Sequence, residues 1–469
     1  MSAMASTQST RLRRSVAALT VIISVGLVAS SCSYATSEAA ADIPASVAAS
    51  ATDEGVFDAS VVHEIEVAFD ETAYDAMIEI YSTSGEKEWI EATVTIDGVT
   101  LEQVGLRLKG NSSLRGLGTD SGPGGAAVSA DDPASLPWLI RFDKYVDGQS
   151  YDGLYDLVVR SNNTETSLNE AVALDLLELA GLASQDAIAV GFSVNGSEPT
   201  LRLVIEHPDD VWLEDNFEDE GALYKAESTG DYSYRGDDPD AYDEVFDQEA
   251  GKDNEDLTPL IEFLEFINNS DDATFNAELT EHLDIESFAA YLAMQNLIDN
   301  FDDINGPGNN SYLYYDSETE VFTVVAWDHN LAFGVQNNDG LGRGGAPDGQ
   351  AIGGDAAGVA PGGAAPGRAA PGGIASDQDA VGTGPGGAAP GGGPGVGGVQ
   401  PNVLVDRFLA NPDFAGLYDQ ALIDLDAALY ESGTADDVLA TWVSVLSTSD
   451  LDDADTIALE AASIADYYA

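Results

Sequence analysis

Residues 339–398 are dominated by Gly, Ala and Pro, with Gly-Gly-Ala-Ala-Pro-Gly recurring, and a segment of that composition cannot build a hydrophobic core. Whatever folds must be assembled from the two flanks, so the tract reads as a disordered insertion within one domain. Matches to G-x-G-x-x-G fall inside it, such as Gly340-Leu-Gly342-Arg-Gly-Gly345 and Gly382-Thr-Gly384-Pro-Gly-Gly387. With no strand before them and no helix after, they carry no nucleotide-binding signal.

The remaining sequence divides by pattern. Arg11, Arg13 and Arg14 precede an uncharged apolar run from Val16 to Val28, which has the length of a signal-peptide core and is short for a membrane span. Ala29-Ser30-Ser31-Cys32 follows, holding the one cysteine of the chain; an internal disulfide is therefore excluded. The expectation is a signal peptide over 1–32 with a lipobox at Cys32, export, and a lipid anchor to the cell membrane; the alternative is ordinary cleavage and secretion. Residues 33–57 read as a flexible tether. Residues 58–338 and 399–469 then supply the folded domain.

Charge sets the weight of each residue type. The chain carries 83 acidic against 17 basic residues, a net charge of −66. Such a surface repels polynucleotide and anionic lipid, so a nucleic-acid partner is excluded. It suits high salt, where screening relieves self-repulsion, so acidic clusters alone indicate little. Lysine is scarce, at Lys87, Lys109, Lys144, Lys225 and Lys252. Arg107, Lys109, Arg115, Arg141, Lys144 and Arg160 fall within 54 residues. That concentration fits either an anionic ligand held there or cations paired with neighbouring carboxylates.

Alternation of apolar and polar residues predicts strands at Ile65–Phe69 and Ile90–Ile96, then a turn at Asp97-Gly98 into a third strand. In that strand Val104, Leu106 and Leu108 share one face, and Gly105, Arg107 and Lys109 the other. Ser167 to Glu170 reads as a capping box opening a helix that ends at Gly181. Strands at Ile188–Val194 and Leu201–Ile205 follow, joined through Asn195-Gly196. Helices are expected from Thr258-Pro259 to Ile267 and from Asp284 to about Ile298, with helical periodicity again from Val403 onward. The expected class is α+β, strand-rich early and helix-rich late.

The segment Asn300-Phe301-Asp302 to Asn309-Asn310 precedes a hairpin made of Ser311–Tyr315 and Val321–Trp327, which ends at Asp328. Antiparallel pairing makes Asn310 and Asp328 neighbours, with Asp302 delivered by the preceding loop. An Asn and an Asp so placed can share a divalent cation through hard oxygens, and a free Asp can accept a hydroxyl proton. Protein kinases use that logic, although the interval from Asp302 to Asn310 is wider than in H-R-D-x-x-x-x-N. No EF-hand register fits. The four histidines show no metal-ligand spacing, and no Walker A loop is present.

Four segments in order, Gly105–Ser113, Arg141–Lys144, Gly221–Lys225 and Asn300–Asp302 through Trp327–Gly334, together resemble the spore coat protein H (CotH) kinase family, over most of residues 58–338 and the helical tail. The resemblance implies an atypical, secreted-type protein kinase with a reduced two-lobed kinase-like fold, a strand-rich N-lobe and a helix-rich C-lobe. It implies ATP and Mg²⁺ as cofactors and serines of surface or coat proteins as acceptors. Carried over by position, Asp302 is the catalytic base and Asn310 and Asp328 bind Mg²⁺. Lys109 faces the phosphates, with Arg107 beside it and Lys144 and Lys225 as helpers. Glu170 is placed to pair the phosphate lysine or to complete its capping box. The chain departs from the family pattern at Phe301, Asn309 and Asn330, which stand where Trp, His and a second Asp are usual. Two other functions stay open: a non-catalytic cell-envelope scaffold, and phosphoryl transfer to a carbohydrate or small molecule.

Overall fold

The computed structural model describes residues 55–110, 112–117, 128–217, 220–228, 230–251, 255–306, 309–335 and 402–468. The leader, Cys32, most of the tether, Lys252 and the tract 339–398 lie outside them. Among the described residues no helix is long and apolar enough to cross a membrane. All of the described residues belong to one compact unit.

The first half is mostly strands, interrupted by two α-helices: β1 (His63–Phe69), α1 (Glu71–Ser84), β2 (Ile90–Ile96), β3 (Val99–Leu108), β4 (Trp138–Arg141), β5 (Asp156–Val159), α2 (Leu168–Leu179), β6 (Ala187–Val194) and β7 (Thr200–Ile205). The seven strands close into a barrel in the order β1-β2-β3-β4-β5-β7-β6. An odd number of strands cannot close with antiparallel pairs alone, and the seam is the parallel pair β1–β6, with His63 opposite Val190. Val67, Val94, Leu106, Ile140 and Val204 fill the interior by the two-residue alternation of their strands. On the outward face of β4, β5 and β7, Leu139, Val158, Leu203 and Ile205 join a second core formed with the rest of the molecule.

That remainder comprises α3 (Asp210–Asn216), β8 (Gly221–Ala226), β9 (Phe246–Ala250), α4 (Thr258–Asn269), α5 (Asp272–Glu278), α6 (Ile285–Leu297), β10 (Ser311–Asp316) and β11 (Phe322–Ala326). Beyond the tract follow α7 (Val403–Ala410), α8 (Pro412–Leu425), α9 (Thr434–Leu446) and α10 (Ala454–Ala465). β8 to β11 form a four-stranded sheet ordered β11-β10-β8-β9. The tail returns to the first part, with α8 packing on α6 and α9 on α2. Aspartates cap several of these helices: Asp70, Asp209, Asp271, Asp284 and Asp453 each accept backbone N–H groups of a first turn. Part of the acidic excess thus serves helix initiation, where carboxylates also meet the positive end of the helix dipole.

Two expectations are corrected. A reduced two-lobed kinase-like fold, with strands in one lobe and helices in the other, is not what forms: the early strands close into a barrel, and a second sheet lies among the helices. The α+β character stands. Local alternation locates strands, but closure depends on pairing β1 with β6 across more than a hundred residues, which no local pattern specifies. The capping box at Ser167 also fails. Ser167 sits at φ 54° with no side-chain bond to the helix, and Glu170 turns inward instead.

Candidate active site

Alternation along the barrel strands places the charged residues. Leu106 and Leu108 point inward, so Arg107 and Lys109 point out. By the same count Arg141, Asp156, Arg160 and His207 lie on the outward face of neighbouring strands or just beyond their ends. Strand pairing brings them together: Arg107 lies opposite Leu139, and Arg141 opposite Asp156.

Lys109 follows the last residue of β3, and its backbone N–H donates to Pro137 O at 3.1 Å. The side chain is half-buried, with its ammonium 5.8 Å from the centre of the Trp327 ring. Among the described residues it makes no ion pair; its Nζ faces His207 Nε2 at 2.7 Å. Burial, followed by the nearby charge of Lys225, pushes its pKa down to about 7. Lys225, on β8, donates to Glu227 Oε1 at 2.9 Å. Arg107 stacks over Trp89, 4.8 Å from the ring centre, and lies within electrostatic reach of Lys109. Lys87, given no role by the sequence, joins them. Burial first, then the charges of Lys225 and Arg107, lower its pKa to about 8. Lys144 is exposed and lies 5.0 Å from the Trp89 ring, with its stem packed on Gly105.

The hairpin forms as expected, with Ser311 opposite Ala326. Asn310 and Asp328 therefore flank the same end of it. Asn310 Nδ2 donates to the Asp302 carbonyl at 2.9 Å, which ties the loop to the hairpin and leaves the amide oxygen of Asn310 for another partner. The Asp302 backbone is closely backed by Gly306, where an added Cβ would stand 2.5 Å from Asp302 Cα. The next residue, Asp303, is spent on the turn: its Oδ1 accepts from Asn305 N at 2.9 Å, and burial raises its carboxyl to about 6. Asp328 has φ 62° and Asn309 φ 54°, left-handed conformations that cost non-glycine residues about 1 kcal/mol or more.

Arg160 holds the centre. Its guanidinium binds Glu170 on α2, with a 2.8 Å contact to Oε1 and a 3.0 Å bond to Oε2, and also reaches Asp328 Oδ1. Arg202 fixes the backbone beneath, its Nε donating to Arg160 O at 2.8 Å. Glu170 thus pairs with Arg160, while Lys109 takes His207. Lys109, Gly110, Ser113, Arg160 and Asp328 line a cleft of about 30 Å³. That volume holds a water molecule or one phosphate oxygen, so a larger ligand must extend outside it.

The donor set suits a hard divalent cation. Asp328 keeps a second carboxylate oxygen and a quarter of its side-chain exposure, and the Asn310 amide oxygen stands at the same hairpin end. Buried polar atoms nearby, Arg107 Nε and Tyr312 Oη, have no hydrogen-bond partner among the described residues.

Sequence reasoning gave Arg160, His207 and Asp156 no role. Arg160 belonged to the conspicuous group of cations, but its partners come from α2 and the far hairpin. His207 and Asp156 carry no spacing signal, because β5 and β7 bring them together from 51 positions apart.

Over 192 residues the chain is 23% identical to "Inner spore coat protein H" of Bacillus subtilis (strain 168), a match covering 40% of this chain and 52% of the relative, so the chain spans about half the length of that curated protein. The model of the family described as "CotH kinase protein" matches residues 106–431, from β3 through the hairpin into the tail helices. Since that match takes in both Lys109 and the Asp302-to-Asp328 segment and exceeds half the sequence, the chain belongs to the CotH kinase protein family.

Proposed function

We propose that the chain is a phosphotransferase of the cell exterior, moving the γ-phosphoryl group of ATP to serines of surface or coat proteins. The observation carrying this reading is Lys109: a half-buried ammonium with no carboxylate partner among the described residues, in a chain of net charge −66. Paired cations explain Arg141, Arg160 and Lys225, each of which contacts a carboxylate. They do not explain Lys109, whose neighbour is a neutral imidazole; an anion arriving at the cleft supplies the missing partner.

In this reading Lys109, with Arg107, Lys87 and Lys225 around it, holds the phosphates, and Lys144 stands at the margin. Asn310 and Asp328 hold Mg²⁺, which when bound neutralises developing charge on the phosphate oxygens. Arg160 keeps Asp328 oriented through one oxygen and leaves the other for the ion. Asp302, fixed by Asn310 and Gly306, accepts the proton of the acceptor hydroxyl. Catalysis is positioning and electrostatics, with no covalent enzyme intermediate. Export and a lipid anchor through Cys32 place the activity outside the membrane.

One feature favours a second reading, a non-catalytic envelope scaffold. Arg160 already contacts one oxygen of Asp328 and both oxygens of Glu170, an ion-pair cluster in which the cation is compensated without a ligand. Incubating the purified chain with Mg²⁺ and ATP labelled at the γ-phosphate, with the chain itself and a serine-rich protein as acceptors, separates the two. The phosphotransferase reading expects label on serine, lost in Asp302→Asn. No label above background supports the scaffold, and full transfer by Asp302→Asn removes the base assignment.

A further inference from the structure

The cluster that holds Lys109 extends beneath it. His207 Nε2 lies 2.7 Å from Lys109 Nζ, and its Nδ1 lies 3.3 Å from Asp156 Oδ2. His207 and Asp156 are buried and Lys109 is half-buried. His207 Nδ1 and Asp156 Oδ1 have no hydrogen-bond partner of good geometry among the described residues. Asp209 brings a further carboxylate oxygen within 4.8 Å of both. Two chemistries compete for such a cluster: a metal site, or a proton relay.

The tautomer of His207 decides between them. A charged Lys109 can only donate and the Asp156 carboxylate can only accept, so the lone-pair nitrogen of the ring faces Lys109 and its proton faces Asp156. A metal at Nδ1 would have to displace that proton. Asp209 is engaged elsewhere, since its Oδ1 accepts from Val211 N at 2.9 Å and Trp212 N at 3.1 Å. Positive charge is already supplied by Arg141, 3.9 Å from Asp156 Oδ2. Burial alone raises the Asp156 carboxyl, but the His207 ring and the charges of Arg141 and Lys109 hold it below its ordinary value. His207 is kept neutral, first by burial and then by Lys109.

We propose that Asp156 and His207 are positioning residues for the phosphate lysine: Asp156 fixes the His207 tautomer, and His207 aims the ε-amino group of Lys109 into the cleft and supports its charge. This rests on the reading of Lys109 as the phosphate contact. The groups acting on that amine come from every side: Lys225 on β8, Glu249 on β9, Arg107 on β3, Asp156 on β5 and the imidazole of His207. Burial and the two cations disfavour the ammonium, while Glu249 and Asp156 favour it. With five lysines in the chain, the Lys109 signal is assignable by NMR of isotope-labelled lysine, using Lys109→Arg to identify it.

The experiment titrates Lys109 in the free protein, then with Mg²⁺ and ATP added. The free wild-type chain is expected to titrate near pH 7. Asp156→Asn should lower that midpoint by about 1 pH unit, as loss of a nearby opposite charge does. His207→Ala should lower it too, and His207→Gln, which restores an acceptor oxygen, should recover at least half of the shift. Midpoints unchanged in Asp156→Asn and His207→Ala overturn the relay. So does stoichiometric Zn²⁺ uptake by wild type that is lost in His207→Gln. ATP should raise the wild-type midpoint; if ATP leaves it unmoved while the variants shift it, the phosphate reading fails and the relay stands.

Discussion

Replacing Glu170 separates a helix cap from a buried ion pair by magnitude. As half of a capping box, Glu170 would contribute about 1 kcal/mol. The structure gives it a different role: its side chain is 2% exposed and both oxygens contact Arg160, which is itself 10% exposed. Removing one partner of such a pair leaves a buried charge uncompensated and costs about 3–5 kcal/mol. Asp328 remains on Arg160 and is 25% exposed, so the lower end of that range applies. Glu170→Ala is therefore expected to lose about 3 kcal/mol in urea-induced unfolding with an unchanged denaturant slope. The double variant Arg160→Met with Glu170→Leu should lose less than the sum of the singles, since the buried pair goes as a unit and only the partly exposed Asp328 loses its partner. A loss of about 1 kcal/mol or less in Glu170→Ala, additive with Arg160→Met, refutes the buried-pair account.

Other outcomes follow from single contacts. Burial raises the Asp175 carboxyl to about 7, although the Trp442 indole donates to it at 2.7 Å. The folded state therefore keeps a proton that the unfolded chain has released, and stability is fully present below the ordinary carboxylate pKa and declines as pH rises through about 7. Asp175→Asn should remove that decline and unfold at higher temperature than wild type above neutral pH; a parallel pH profile in the variant contradicts the assignment. Gly306→Ala places a Cβ 2.5 Å from Asp302 Cα and 2.5 Å from Phe301 O. The backbone must shift, at about 1–3 kcal/mol of stability, and γ-phosphate transfer should fall at least tenfold. Wild-type transfer by this variant shows that the placement of Asp302 does not matter to the chemistry.

How much was legible depended on whether the determining contacts were local. The hairpin from Ser311 to Ala326, and with it the meeting of Asn310 and Asp328, followed from strand alternation and a turn. The outward face of β3 followed from the same two-residue period. The helix at 71–84 escaped notice because its apolar residues form no clean stripe, Ile80 standing exposed off the face that buries Tyr74 and Met77. Ser167 and Glu170 had capping-box spacing, but the pull of a buried guanidinium outweighed a bond worth about 1 kcal/mol. Barrel closure, and the meeting of Lys109, Asp156 and His207, depend on strand partners that sequence spacing does not reveal.

In the proposed function Asp328 and Lys109 form one site for Mg²⁺ and a nucleotide phosphate. Thermal unfolding of the purified chain with Mg²⁺ alone, and then with Mg²⁺ and increasing ATP, tests this. The midpoint is expected to climb with ATP concentration only when Mg²⁺ is present, as binding to the folded state requires, and to stay flat in Asp328→Asn and Lys109→Ala. An ATP-independent midpoint in the wild type, or an equal climb in both variants, contradicts it.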